Sequence, residues 1–371
     1  MNKAFTTFWA VVFMFLAAPS LHSQESPWID GAFHKVTDSQ LTKKEWKSQI
    51  DRPFDLFNDA TPLKITLEAD FKQLIRDKHN DKYQEALLHY SLNDSVVVRH
   101  IIRIKPRGQF RKNYCSKPPL KLNFSKTEFI RKELKELSKM KMVYACKRSN
   151  IGEEYVLKEY LTYKMYSILS EFSFDVRLID LTYLDIGRKK PKTYNGYAFL
   201  IEDVDQLANR NELYPAKVTK AVQKDIDPSN MAKVALFQYM IGNTDWTVTY
   251  AHNTKLFTKK NGPFQNPIAV PYDFDYSGLV NTDYAVPTDK LSIESVRDRV
   301  YMGPCFNKQI YVEAFKEFVA KKGKIYNLIN SFQYTTESTK KEMISYLDEF
   351  YKQISKQNAA DYFKSNCGIN P

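Results

Sequence analysis

Hydrophobic and polar residues alternate along much of the first part of the chain. In LKITLEAD, residues 63–70, the side chains of Leu63, Ile65 and Leu67 share one face and the polar residues share the other. Alternation of this period is typical of a half-buried strand. Similar segments follow at 83–92, 95–105, 118–124 and 141–147. The pattern therefore predicts five strands before residue 148.

The spacing of apolar residues becomes helical in the segment 154–172. Leu157, Leu161, Met165 and Ile168 recur every three or four positions, which predicts a long amphipathic helix. Two further strands are predicted at 175–186 and 195–203, on either side of a basic turn.

Helices dominate the pattern beyond about residue 203. Residues 229–242 are almost uniformly apolar, which predicts a buried helix with Ser229 as its N-cap. Two short strands follow at 253–257 and 267–274, and amphipathic helices are predicted at 308–322 and 337–354.

This order of elements predicts an α+β protein with two lobes. A β-rich N-terminal lobe would cover residues 61–203, and a helical C-terminal lobe would cover 204–371. The polar segment 24–60 would form an extended or weakly helical lead-in. We expect a ligand to bind in the cleft between the lobes.

The first residues have the pattern of a secretory signal peptide. A lysine precedes an apolar run at 8–18, and small polar residues surround a cleavage site near Ser23. An uncleaved N-terminal anchor is the alternative interpretation. No later stretch is apolar enough to cross a membrane, so the expected location is periplasmic, outer-envelope or secreted.

If the protein is exported, its four cysteines are expected to form disulfides, because an oxidising compartment permits them. The chain contains no CxxC pair and no cluster of cysteine and histidine that would indicate zinc. Pairing between sequence neighbours favours Cys115–Cys146 and Cys305–Cys367, with free buried thiols as the alternative.

The formal charge of +12 favours anionic ligands such as nucleotides, phosphorylated polymers or envelope glycans. Lysine and arginine are spread along the chain, which is also the pattern of an ordinary solvated basic surface. No nucleic-acid-binding motif is present, and export argues against nucleic acid as a partner.

The candidate chemistry lies in the segment 243–278. The apolar run PIAVPY ends at two carboxylates, Asp273 and Asp275, which would be costly to bury without a positive partner. Asp245 follows the buried helix, and Asn253 begins the next strand. Phosphoryl transfer needs such a set: one carboxylate orients the attacking hydroxyl, and others hold a divalent cation against the phosphates.

The order GNTD, HN and PYDFD resembles the catalytic segment of CotH-like (spore-coat protein H) atypical kinases, with a fainter likeness to HipA-type kinases. The resemblance extends more weakly over residues 95–285. It implies a bilobal protein-kinase-like fold, with ATP and Mg²⁺ or Mn²⁺ as cofactors. It also implies an envelope or secreted protein as the phosphate acceptor.

The resemblance also implies roles for individual residues. Asp245 would match the catalytic Asp, Asn253 the metal-binding Asn, and Asp273 the metal-binding Asp of the DFG motif. Asp275 would be a second metal ligand. His252, beside Asn253, is interpreted as a structural hydrogen-bonding residue.

The expected nucleotide-binding residues lie mainly in the first lobe. Glu159 would pair the phosphate-binding lysine, which is Lys121 by its RG…KPPLKLNF context or Lys147 by its position before the helix. Arg107 begins a basic turn that, with Arg111 and Lys112 close by, would cradle phosphates or simply be solvated. Glu202, with Asp203 beside it, would lie at the hinge next to the adenine.

The sequence departs from the usual kinase pattern in two places. Eight positions separate Asp245 from Asn253, compared with five in the usual catalytic loop, and DFD replaces DFG. A catalytically inactive kinase-fold scaffold of the envelope is therefore the alternative function. A metal-dependent phosphohydrolase is a third hypothesis, although such centres use more ligands than this segment offers. In the simplest reading, Asp245 and Asp273 cap turns.

Overall fold

The computed structural model describes residues 28–30, 56–57, 61–93, 96–125, 138–146, 149–216, 221–260 and 266–369. The predicted signal peptide, most of the predicted lead-in and Lys147 lie outside these residues. Helices and strands are mixed, as the α+β prediction requires. Among the described residues, no helix is long and apolar enough to span a membrane.

Strands outnumber helices in the described chain up to residue 201. Their bounds are β1 Trp28–Asp30, β2 Leu63–Ala69, β3 Gln84–Asn93, β4 Val96–Pro106, β5 Leu120–Asn123, β6 Lys139–Tyr144, β7 Val176–Asp185 and β8 Lys192–Ile201. The helices described between them are α1 Phe71–Arg76, α2 Gln109–Tyr114 and α3 Asn150–Leu169.

These strands form a closed barrel, a feature that the sequence did not predict. Strands pair in the order β4, β3, β2, β7, β8, β6 and β5, and β5 then pairs with β4 to close the ring of seven. β2 and β7 run parallel, and β1 adds to β4 outside the ring. The barrel interior holds alternate residues of each strand, such as Leu67, Ile104 and Met142.

Helix α3 packs against the outside of this barrel. Phe199 and Ile201 of β8 point outward to the helical core, whereas Ala198 and Leu200 point into the barrel. The predicted amphipathic helix is instead buried on most sides, because the barrel covers one side and later helices cover the other. Ser149 caps its start by accepting a hydrogen bond from the amide of Gly152.

The second half of the chain is mainly helical. Its elements are α4 Val204–Arg210, β9 Leu213–Pro215, α5 Pro228–Ile241, β10 Thr254–Lys259, β11 Ile268–Pro271, α6 Lys308–Ser331, α7 Glu337–Ile354 and α8 Ala359–Ser365. Strands β9, β10 and β11 form a small antiparallel sheet. Asp227, and not Ser229, caps α5 by accepting from the Asn230 amide.

Two disulfides, Cys115–Cys146 and Cys305–Cys367, join the pairs that the sequence favoured, and no described cysteine is free. The first connects the end of α2 to the end of β6. The second connects the loop before α6 to the end of the described chain. Structural disulfides are typical of proteins in oxidising compartments.

Candidate active site

The small sheet brings Asn253 and Asp273 together. β10 and β11 pair with Thr254 opposite Pro271, and the amide of Tyr272 continues the ladder by donating to the carbonyl of Asn253 at 3.0 Å. Asn253 and Asp273 both have left-handed backbone conformations, with φ of 49° and 64°. Such conformations are uncommon outside glycine and concentrate at functional sites.

Helix α5 delivers Asp245 to the same region. Gly242 ends the helix with φ of 64°, a conformation that suits glycine. Asn243 then fixes the following turn, because its side-chain oxygen accepts from the amide of Asp245 at 3.0 Å.

The extra residues between Asp245 and Asn253 form a tight turn. Thr247 and His252 exchange two backbone hydrogen bonds of 3.0 Å. The chain therefore folds back on itself and brings Asn253 next to Asp245. Asn253 Nδ2 consequently donates to the Asp245 carbonyl at 2.8 Å and to its Oδ2 at 3.0 Å. His252 Nε2 contacts Asp245 Oδ1 at 2.8 Å. This hydrogen bond raises the pKa of His252, which favours the charged ring beside the carboxylate.

Three carboxylates meet where β11 ends and α3 passes by. Oxygen atoms of Glu159, Asp273 and Asp275 all lie within 4.8 Å of one another. The amide of Asp273 donates to the hydroxyl of Tyr163 at 2.8 Å, which fixes the segment against the helix one turn beyond Glu159. Asp275 accepts from the Tyr284 hydroxyl at 2.8 Å.

Two arginines provide the positive partners that the acidic end of the apolar strand requires. Arg111 Nη1 lies 3.8 Å from Glu159 and 3.7 Å from Asp275, and all three side chains are buried. Arg107 Nη2 lies 3.8 Å from Asp273. The basic turn after β4 and helix α2 therefore supply these cations.

The pKa values of the buried carboxylates Asp275 and Glu159 are raised. Burial raises the pKa of Asp275 to about 6, with Asp273 adding to the shift and Arg111 opposing it. Burial and then Asp275 raise the pKa of Glu159 well above its ordinary value. Burial alone would lower the pKa of Arg111, but Tyr284, Asp275 and Glu159 outweigh it and raise that pKa.

The donor set fits a hard divalent cation. Carboxylate oxygens are the preferred ligands of Mg²⁺, Mn²⁺ and Ca²⁺, and oxygens on opposite sides of such an ion lie about 4 to 5 Å apart. No described residue donates a hydrogen bond to the buried Oε1 of Glu159, so this atom has a lone pair to offer. Glu159, predicted to pair a lysine, belongs to this cluster instead.

A cavity of about 460 Å³ adjoins the cluster at Arg107. Among the described residues, its walls carry Lys105, Arg107, Lys112, Lys121 and Lys141 but a single carboxylate, that of Asp81. Asp81 already accepts from Lys105 at 2.8 Å. A cavity of this charge favours a strongly anionic ligand such as a triphosphate.

Lys141 lines this cavity and was not among the residues predicted from the sequence. Its ammonium lies 4.2 Å from the ring centroid of Tyr272, the residue before Asp273. Burial, reinforced by Arg107, lowers the pKa of Lys141 to about 7. The sequence could have indicated Lys141, because it lies on the polar face of the strand that directly precedes α3.

Lys121 lies opposite Lys141 in the β5–β6 pairing and lines the same cavity. Burial lowers its pKa, and Asp203 opposes the shift. The expected ion pair between Lys121 and Glu159 is not formed, because Arg111 occupies that position beside Glu159.

Glu202 directly follows β8, at the junction with α4. The residue is only 2% exposed, and its carboxylate accepts from the Asp175 amide at 2.7 Å and binds Arg210 at 2.5 Å. The side chain therefore stabilises the junction between β8 and α4, and a position of Glu202 beside the adenine stays a prediction.

No protein-family model and no curated protein sequence matches the chain. Among solved structures, the chain is similar to the crystal structure of a Helicobacter pylori proinflammatory kinase, CtkA. The match covers 67% of this chain and 93% of that chain, with a TM-score of 0.38 and 11% identity. Similarity at this level carries no argument about function, which depends on the geometry of the site.

Proposed function

We propose that the chain is an exported, kinase-like phosphotransferase, which moves the γ-phosphoryl group of ATP to a hydroxyl of an envelope or secreted protein. The observation that carries this proposal is the meeting of three carboxylates, one of which, Asp273, lies 3.8 Å from Arg107 in the wall of a cation-lined cavity. The two disulfides support the export part of the proposal.

Each group of residues would do a separate part of the chemistry. Asp245 would orient the acceptor hydroxyl and take its proton, and the hydrogen bonds from Asn253 and His252 hold it in position. The hydroxyl oxygen would form a bond to the γ-phosphorus while the bond to the bridging oxygen breaks and ADP leaves. Arg107, Lys121 and Lys141 would bind the phosphates in the cavity.

Glu159, Asp273 and Asp275 would hold Mg²⁺ or Mn²⁺, whose charge would offset that of the phosphates. The side-chain N–H groups of Asn253 donate hydrogen bonds to Asp245, which leaves its side-chain oxygen for the metal role that the resemblance implies. Arg111 would keep Glu159 and Asp275 together before a cation binds.

One observation favours an inactive scaffold as the second candidate. Arg107 and Arg111 already supply countercharge to the acidic cluster, so the fold does not depend on a metal to bury it. A scaffold would keep these ion pairs permanently and would be insensitive to nucleotide.

Transfer of radiolabelled γ-phosphate to the protein itself or to casein separates the two candidates. We expect labelling that requires Mg²⁺ or Mn²⁺ and that falls by about 10²- to 10⁴-fold in Asp245→Asn. Asp205→Asn, on the exposed first turn of α4, is the matched control and should label normally. Equal labelling of both variants would contradict the role of Asp245, and no labelling with any metal would support the scaffold.

A further inference from the structure

Two backbone hydrogen bonds join the end of helix α5 to the segment that follows the acidic cluster. The amide of Gly278 donates to the carbonyl of Gly242, and the amide of Leu279 donates to the carbonyl of Ile241, both at 3.0 Å. Helix α5 leads directly into the turn that carries Asp245. This pairing therefore sets how far the proposed catalytic carboxylate lies from the three clustered carboxylates.

The hydroxyl of Tyr346, on helix α7, lies against both glycines of this pairing. A Cβ atom would lie 2.0 Å from the hydroxyl at Gly242 and 2.5 Å from it at Gly278. A larger residue at either position would therefore displace the hydroxyl. Tyr346 is only 3% exposed, and its hydroxyl donates to the carbonyl of Arg297 at 3.0 Å.

Two arginines hold the ring of Tyr346 in place. The guanidinium carbon of Arg299 lies 3.7 Å from the ring centroid, and that of Arg297 lies 4.6 Å from it. Arg299 Nε also donates to the carbonyl of Met240 at 3.3 Å, and Arg297 Nη1 donates to the carbonyl of Gly278 at 3.3 Å. The arginines therefore bind the ring and the two paired segments together.

Glu342, also on α7, extends these contacts to the helix that carries Glu159. Its Oε1 accepts from Arg297 Nη1 at 2.8 Å, and its Oε2 accepts from Lys158 Nζ at 2.7 Å. Lys158 is 5% exposed and directly precedes Glu159 on α3. A continuous set of contacts thus joins α3, the end of α5 and the segment after the acidic cluster to α7.

We propose that Tyr346 is a positioning residue for phosphoryl transfer. Its hydroxyl occupies the space beside Gly242 and Gly278, and it thereby fixes Asp245 relative to the carboxylates that would hold the metal. A displacement of about 1 Å between reacting groups can lower a rate by about 10²-fold. The inference rests on the proposed function, because this distance matters only if Asp245 acts on a phosphoryl group held beside the cluster.

The steady-state kinetics of Tyr346→Phe test this role. The variant loses the hydroxyl and keeps the ring beside its two arginines. We expect kcat for phosphoryl transfer to casein to fall by about tenfold, whereas KM for ATP and Kd for Mn²⁺ should stay within about twofold. Tyr346 lines neither the cationic cavity nor the acidic cluster, so binding should not depend on it. An unchanged kcat, or a loss confined to KM, would overturn the assignment.

Tyr326→Phe is the matched control for Tyr346→Phe. The hydroxyl of Tyr326 donates to Asp348 of α7 at 2.8 Å, and Lys322 Nζ lies 4.9 Å from the Tyr326 ring centroid. This variant therefore also removes one bonded hydroxyl from a ring beside a cation, but within the pair of helices α6 and α7. We expect it to keep the kcat of the unaltered protein. The same fall in kcat in both variants would reflect a general loss of stability and would overturn the assignment.

Hydrogen exchange tests the contact without any measurement of activity. Mass spectrometry of peptides covering residues 274–282 follows the amides of Gly278 and Leu279. We expect these amides to exchange about tenfold faster in Tyr346→Phe and at an unchanged rate in Tyr326→Phe. Unchanged exchange in Tyr346→Phe would overturn the inference. If the unaltered protein transfers no phosphate, the proposed function fails, and faster exchange in Tyr346→Phe would still show that this hydroxyl holds the two segments together.

Discussion

At the scale of single residues, Arg111 decides how the acidic cluster is held together. Its guanidinium lies between Glu159 and Asp275, and all three side chains are at least nine-tenths buried. Removing one partner from a buried charged group leaves the others without compensation, which is far more costly than losing a surface ion pair.

We therefore predict that Arg111→Met lowers the free energy of unfolding by about 3 to 5 kcal/mol. Lys308→Met removes an exposed pair with Asp361 and should cost about 1 kcal/mol or less. Urea unfolding measures both. Mn²⁺ should restore part of the loss in Arg111→Met, because the metal would replace the missing charge. Similar losses in the two variants would show that Arg111 does not compensate the cluster.

Lys141 provides a pH-dependent test of the phosphate site. In the free protein its pKa is about 7, so the amine is mostly neutral at pH 8 and charged at pH 6. Phosphates beside it would raise that pKa. ATP binding should thus take up about one proton at pH 8 and much less at pH 6.

Calorimetry of ATP binding in buffers of different ionisation enthalpy measures this proton uptake. Lys141→Met should abolish most of it, whereas Lys139→Met, on the same face of β6 but outside the lining of the cavity, should not. Equal uptake in the two variants would remove Lys141 from the phosphate site.

At the scale of elements, helix α2 and its disulfide position the cations of the site. α2 carries Arg111, follows Arg107 and ends at Cys115, which is bonded to Cys146 at the end of β6. Cys305–Cys367 has no such connection, since it joins two segments of the helical part.

The two disulfides consequently make a matched pair of variants. Replacing either one with alanines should cost about 3 to 4 kcal/mol of stability, because both close loops of tens of residues. Only loss of Cys115–Cys146 should also weaken binding of ATP with Mn²⁺, measured by calorimetry below the unfolding temperature. Equal weakening in both variants would contradict a positioning role for α2.

Sequence patterns predicted where individual strands and helices lie along the chain better than they predicted which strands pair with each other. Alternation places Ile104 or Leu122 on the inner face of a strand, but it does not say which strand lies alongside. The pairing of β4 with β5 that closes the barrel therefore went unpredicted. The six-residue helix α2 is too short for a periodic signal, and the partners of Arg111 lie far along the chain.

At the scale of the whole molecule, the barrel and the helical part meet along α3. This helix contacts β6, β7 and β8 on one side and α5 and α6 on the other, and it contributes Glu159 to the cluster. The order of the motifs GNTD, HN and PYDFD predicted Asp245, Asn253 and Asp273 as site residues. In the structure, Asn253 is hydrogen-bonded to Asp245, and Asp273 lies beside Arg107 and two other carboxylates. Lys141 was missed because its importance depends on the barrel wall. Arg111 was predicted only as part of the basic turn, because its contacts with the carboxylates depend on α2.

The proposed function requires that the protein binds ATP with a divalent cation held by the carboxylate cluster. The most direct test is the thermal stability of the protein with ATP and Mn²⁺. Binding at concentrations about 100-fold above Kd would stabilise the fold by about 2.7 kcal/mol, a shift of several degrees. We expect this shift for the unaltered protein and for Asp180→Asn on the exposed face of β7, and we expect its loss in Asp273→Asn. No shift in the unaltered protein, or the same shift in Asp273→Asn, would contradict the proposed function.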